Sequence, residues 1–540
     1  MVVCLRRFAM RDLAAVNSGV ISRQRVGTKG IGIALALALV LALVGLDLAR
    51  EIPPVGDDYR HALFGPGELF AYYMRAHWGR PLGLLMLDAL HTGAEGLGLP
   101  LFWPTLFVWV GSVLLVFVAL RSFFELPLAP SYVGTAVFAL TPTSTEGWIM
   151  VNTAPTALSV PMVLIAAALC ARALYGTRRA MVVQLTLAFG IAFSAMMLYD
   201  QAVLALPAFV IPLAIGQSVR GQIPVGRAVV VSVIACAVVA AWYIEIRFTG
   251  VIEARSIRPG GVQATGIDLT DPVAATQRLW LGFVMHHIHL GVRLLRGVGV
   301  GGWWASSPSG VIALLAVLAA LAVIPFMMAR AHSDPDGTAL YRTLGWPLVI
   351  SALIAGYAAV LPIGLAYPGF PLVSRMFFAS ACFFAAAVAV ALALVLPRSR
   401  RLLTAAVIVY LAWSGVAMRH YLAEERDASR ITREVARTVG RLADANPNGI
   451  LALGGDVYGT FNTPLIQFWS LRGATEMLTG IRPPQLYFTR WCPSENAGIA
   501  DDYVDENDGD VLDTPWSVVV AVRGKRVVTG ESVEAVCSRG

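Results

Sequence analysis

The chain has 540 residues and a mass of 57.7 kDa, with 57% hydrophobic and 14% charged residues, a mean hydropathy of +0.69 and a formal net charge of +7. Soluble domains carry about 25% charged residues, so the composition excludes a soluble enzyme, a disordered chain and a nucleic-acid binder. What remains is an all-α polytopic membrane protein.

Residues 1–29 form a basic segment with Arg6, Arg7, Arg11, Arg23, Arg25 and Lys29. The segment is expected to stay in the cytoplasm, and it lacks the cleavage site of a signal peptide. Eleven apolar runs then approach the length needed to cross the bilayer, at roughly 30–48, 101–120, 126–143, 156–174, 181–199, 202–218, 228–246, 309–329, 347–365, 375–396 and 402–418. Pro127, Pro130 and Pro142 crowd the third. Every short loop that this count assigns to the cytoplasm is basic, with Arg121; Arg172, Arg178 and Arg179; Arg220 and Arg227; Arg330 and Arg342; and Arg398, Arg400 and Arg401. An odd number of spans leaves the C-terminus outside. The expected membrane module covers 30–418, with outer loops at 49–100 and 247–308, and the tail at 419–540 reads as a small extracytoplasmic α/β domain. Within the tail a helix is expected over about 422–445, a strand at Ile450 to Leu453, and a hairpin from Ser517–Val522 through Gly524-Lys525 to Val527–Thr529. Cys492 and Cys537 both fall in the tail, where a disulfide or two unpaired thiols are the open alternatives.

An ionisable group beside a span is costly, which makes it a candidate for function. The first outer loop carries Asp57-Asp58-Tyr59. A carboxylate at a low-dielectric boundary can act as a general base, and an Asp at that place equally caps a helix. Trp78-Gly79-Arg80-Pro81-Leu82 follows, in a stretch from Gly67 to Leu90 that suits one helix lying along the interface. Arg80 offers a planar fork of donors to a phosphate, or is an interfacial anchor. Tyr199-Asp200-Gln201 stands at the outer end of the fifth span, as a polar site or an ordinary turn. Ser374-Arg375 stands at the start of the tenth, where cation and helix dipole repel unless an anion intervenes. The second outer loop has an excess of arginines and carries His286, His287 and His289, which read as an interfacial helix face rather than a metal site. No metal-ligand set, nucleotide-sugar loop or other cofactor site is expected.

Asp-Asp soon after the first span, followed by Gly79-Arg80-Pro81-Leu82, resembles the GT-C superfamily of integral-membrane glycosyltransferases, above all the bacterial glucosyltransferases of O-antigen and related surface glycans. Tyr199 and Gln201 match a later Tyr-Gln pair, with Asp200 inserted as a departure, and Ser374-Arg375 matches a Ser-Arg pair. The likeness covers about residues 30 to 420 and leaves out the tail. It implies a GT-C-like fold in the bacterial cytoplasmic membrane and a polyprenyl-phosphate-sugar donor. It also implies a glycan or glycolipid acceptor at the outer face, and inverting transfer. Asp57 or Asp58 would be the base, the sequence not deciding between them. Arg80 and Arg375 would hold the donor phosphate, with Tyr59, Trp78, Tyr199, Asp200 and Gln201 around the substrates. The partners expected are those substrates and membrane lipids, and no nucleic acid. A flippase for a lipid-linked glycan would also need a phosphate clamp, but it would favour internal repeats and mid-span charges, and neither is evident in the sequence. A non-catalytic envelope scaffold is the third alternative.

Overall fold

A computed structural model describes residues 28–52, 57–61, 63–75, 80–141, 149–248, 340–361, 377–395, 400–443, 450–453, 468–483, 486–489, 504–505, 518–523 and 526–531, with isolated positions such as Phe283 and His287. In chain order the helices are α1 (Thr28–Leu43), α2 (Leu46–Ala49), α3 (Asp57–His61), α4 (Glu68–Arg75), α5 (Pro81–Gly96), α6 (Phe102–Val118), α7 (Leu128–Leu140), α8 (Ala154–Ala173), α9 (Arg178–Leu198), α10 (Ala205–Val219) and α11 (Val225–Phe248). They continue with α12 (Leu340–Leu344), α13 (Trp346–Ala358), α14 (Phe378–Val395), α15 (Arg400–Ala443) and α16 (Phe468–Thr479). The strands are β1 (Ile450–Leu453), β2 (Leu486–Thr489), β3 (Val504–Asp505), β4 (Val518–Arg523) and β5 (Arg526–Gly530).

Among the described residues, six helices are long and apolar enough to cross a membrane: α6 with its π turn, α8, α9, α11, α14 and α15. α8 is the central one. Its side chains from Val160 through Ala173 are almost all buried, among them Leu164, Ala167 and Cys170. α11 is peripheral and presents Val229, Val233, Tyr243 and Ile244, the apolar face that a bilayer would cover.

Several expected spans come out shorter. α7 has 13 residues in place of the expected 126–143. At 1.5 Å per residue that is about 20 Å, too short for a ~30 Å core, and all of its residues from Ala129 to Leu140 are buried by other helices. α1 (apolar over Ile31–Leu43), α10 and α13 are likewise short apolar helices. The expected span at 309–329 lies outside the described residues.

The expected break between the last span and the tail helix does not exist. α15 runs unbroken for 44 residues, about 66 Å. No proline interrupts residues 400–443, and leaving an apolar environment does not by itself end a helix. Arg419 marks the transition. It is 2% exposed, and its guanidinium binds Asp47 through Nη1–Oδ1 at 2.8 Å and Nη2–Oδ2 at 2.9 Å, with a third bond from Nη1 to the Val44 carbonyl at 3.0 Å. Further along, Ser429 Oγ donates to the Ile52 carbonyl (2.7 Å) and Arg433 Nη2 to the Glu51 carbonyl (2.9 Å). The chain leaving the first apolar helix is therefore stapled along α15.

The strands form one five-stranded mixed sheet in the order β3-β2-β1-β4-β5. β1 lies parallel to both β2 and β4, with Ile450 opposite Leu486 on one side and Val518 on the other. β1 begins at the expected residue, and β4 and β5 make the expected hairpin, with Arg523 opposite Arg526. Val435, Ala436 and Val439 of α15 and Leu471 and Ala474 of α16 pack on Val520 and Val522 of the sheet. Cys492 and Cys537 lie outside the described residues.

Candidate functional site

The segment expected to form the first outer loop folds around α5. The stretch expected to be one interfacial helix is two, α4 and α5. The Gly67 N–H donates to both Asp88 carboxylate oxygens at 3.1 Å, which ties the start of α4 to the middle of α5. Leu69, Leu84, Leu87 and Val151 form the small apolar core beneath. Both ends of α5 carry polar groups of interest.

At its N-terminus, Pro81 occupies a first-turn position and Arg80 is the cap, with φ 59° and ψ 51°. That left-handed conformation is rare for a residue with a Cβ and costs free energy. Two contacts accompany it. Arg80 Nη2 lies 2.6 Å from Asp200 Oδ1, and the guanidinium carbon lies 4.2 Å from the centre of the Tyr199 ring. Tyr199 is extended (φ −162°, ψ 128°) where α9 ends, and Asp200 opens a 3-10 turn, Asp200–Ala202. Gly83 allows this meeting. A Cβ there would stand 2.1 Å from the Leu198 carbonyl oxygen, which no side chain can accommodate without moving α5 off α9. Arg80 Nε is buried with no hydrogen-bond partner among the described residues, and the side chain as a whole is 22% exposed.

About three turns along α5, His91 meets Asp58 and His61 of α3. One ligand-type atom from each of the three lies within 4.8 Å of the others, and all three residues are buried. Asp58 and His61 are three apart on one short helix and so share a face. Asp58 Oδ2 accepts the Val151 N–H at 3.1 Å, from the 3-10 turn that opens α8. The two imidazoles meet edge to face, with centroids 5.9 Å apart. Burial pushes the His91 pKa down to about 3, and the neighbouring His61 adds to the effect.

Of the residues nominated from sequence, Arg80, Tyr199 and Asp200 are brought into direct contact across more than a hundred positions. Asp200, read as a departure from the resemblance, is the ion-pair partner of Arg80. Asp58 is buried, but it does not join them. Eleven residues separate Arg80 from His91 on the same helix, about 16 Å of rise, so carboxylate and guanidinium occupy two ends of α5 rather than one cluster. Tyr59 is fully buried in the core made by α15, α16 and the sheet, where burial pushes its phenol up to about 12. It welds the first loop to the tail and presents no surface to a substrate. Asp57 is the first residue of α3 and Gln201 lies in the 3-10 turn, but their side chains, like Trp78, Gly79, Ser374 and Arg375, lie outside the described residues.

His287 is not on an interfacial face. It is fully buried, with Nε2 2.6 Å from Ser380 Oγ and its ring stacked on Phe384 at 4.6 Å. His286 and His289 lie outside the described residues. His61 and His91 were not nominated as ligands from sequence. The three-residue spacing from Asp58 to His61 was visible, but the approach of His91 is tertiary. A 540 Å³ cavity between α10 and α11, lined by Ile211, Ile215, Val229 and Val233 among others, has no ionisable carboxyl, imidazole or guanidinium in its lining and suits an apolar chain. No protein-family model, curated protein or solved structure matches this chain.

Proposed function

We propose that this protein is a GT-C-type glycosyltransferase that moves a sugar from a polyprenyl-phosphate carrier to an envelope glycan or glycolipid at the outer face of the bacterial cytoplasmic membrane. The proposed topology has an odd number of spans, with the N-terminus inside and the C-terminal α/β domain outside. The observation that carries the reading is Arg80. It is a cation held in a strained backbone conformation at an outer-loop helix start, clasped by Asp200 and Tyr199, with an Nε–H that has no partner among the described residues. A guanidinium has five N–H donors. One carboxylate contact orients it and leaves donors for an anionic oxygen.

In the proposed reaction the acceptor hydroxyl attacks the anomeric carbon while a first-loop carboxylate takes its proton, Asp57 rather than the fully buried Asp58. The new glycosidic C–O bond forms as the bond from the anomeric carbon to the phosphate oxygen breaks. The bonding electrons leave with polyprenyl phosphate. Arg80, with Arg375 as second candidate, stabilises the charge gathering on that phosphate. The partly buried clasp with Asp200 holds Arg80 in place before the donor arrives, so that little reorganisation is needed.

The test is transfer of labelled sugar from a polyprenyl-phosphate donor in membranes containing wild type or Arg80→Lys. Lysine keeps the charge and loses the fork. We expect the variant to need about ten-fold or more donor for the same rate, from the ~1.5–3 kcal/mol of a charge-assisted contact. An unchanged donor requirement would remove Arg80 from the donor site.

A further inference from the structure

We propose that Asp58, His61 and His91 bind one divalent transition-metal ion of the zinc class. Two imidazoles and one carboxylate suit zinc and its first-row neighbours far better than magnesium or calcium, which prefer oxygen ligands. The three donors come from two elements. Asp58 and His61 project from consecutive turns of α3, and His91 comes from α5. Their ligand-type atoms already lie within 4.8 Å of one another. Bonds of about 2.0–2.1 Å in a tetrahedral site would bring the donors to about 3.3 Å apart, a closure that side-chain rotation can make.

Two further observations point to a ligand. His91 is 9% exposed, and its Nε2 is buried with no hydrogen-bond partner among the described residues. A buried polar atom left so is costly unless something satisfies it. Asp58 also has the outer support typical of a metal ligand, since the Val151 N–H donates to its Oδ2 and fixes the carboxylate's orientation. Three protein ligands leave a fourth position for water or another exchangeable group. With the ion bound, Asp58 is a ligand, and the base role in the proposed transfer falls to Asp57.

The inference does not rest on the transferase reading, because metal content is measured with neither donor nor acceptor present. The full-length protein, purified in detergent without a histidine tag, is equilibrated with zinc, desalted and analysed for metal. We expect about one equivalent in wild type and most of it lost in both Asp58→Asn and His91→Gln. His420→Gln, whose ring pairs with Glu424 on α15, serves as control and should keep the ion. Cobalt(II) gives a second readout on wild type alone, in case both variants aggregate. A low-coordinate visible absorption that zinc displaces is expected. Wild type without metal, metal retained in both variants, loss in His420→Gln instead, or no cobalt absorption would each overturn the site.

Discussion

Arg80 combines three unfavourable features: a charged group mostly removed from water, a left-handed backbone and a helix N-terminus that repels cations. Asp200 offsets all three, and Gly83 lets it come near. Two predictions belong at this scale. Gly83→Ala places a methyl 2.1 Å from the Leu198 carbonyl oxygen, so α5 must shift off α9. Its thermal unfolding midpoint in detergent should fall by several degrees, a loss of about 1–3 kcal/mol, whereas Gly93→Ala, with open space around its Cβ position, should not lower it. Asp200→Asn leaves Arg80 without its counter-charge and should cost about 3 kcal/mol or less, since the pair is partly exposed. In a double-mutant cycle with Arg80→Ala the losses should be less than additive. Additive losses would mean that the two side chains do not support each other. Charge beside a span end was enough to nominate Arg80, Tyr199 and Asp200 from sequence. Their mutual contact was not legible, because it joins segments 120 positions apart through a glycine whose role appears only when two helices meet. The same limit hid His91, while Asp58 and His61 shared a helical spacing that was open to reading.

At the scale of elements, α15 carries the most information. Its apolar first half and amphipathic second half were read as two segments, because a change in hydropathy looks like a boundary. Only the absence of proline and of a glycine-rich turn argued for continuity, and backbone chemistry decides where a helix ends. The continuous helix gives Arg419 its place and ties the exit of the first apolar helix to the tail. Breaking the Arg419–Asp47 pair should therefore destabilise both regions together. Asp47→Asn would leave a guanidinium 2% exposed without its carboxylate, at a cost of about 3–5 kcal/mol. A cooperative fall in the unfolding midpoint is expected. Loss of tail structure alone, seen by limited proteolysis with the apolar helices intact, would show that the staple does not couple them. The hairpin and first strand were legible because alternation and turn residues are local. The parallel pairing of β1 with β2 and β4 was not, since nothing local encodes it.

At the scale of the whole molecule, the first loop and the tail are one unit. Tyr59 sits in the tail's core, so the short helix α3 that carries it is anchored to the tail. Truncation after α15 should expose that tyrosine's pocket and abolish folding of the first loop as well, read as loss of monodisperse protein. A truncated protein that stays monodisperse and stable would contradict the coupling. Apolar runs in the sequence suggested eleven spans, of which six appear among the described residues as helices long and apolar enough to cross a membrane. The full count of spans depends on runs such as 126–143, where proline and burial shorten the helix to 13 residues.

The most direct measurement is sugar transfer from a labelled polyprenyl-phosphate donor into envelope glycan. Membranes carrying wild type, Asp57→Asn, Asp58→Asn and the double variant are compared at matched, monodisperse protein levels. We predict transfer by wild type, severe loss in at least one single variant, and none above background in the double variant. Equal transfer by the double variant and wild type, or no transfer by wild type with any donor of this class, would contradict the transferase.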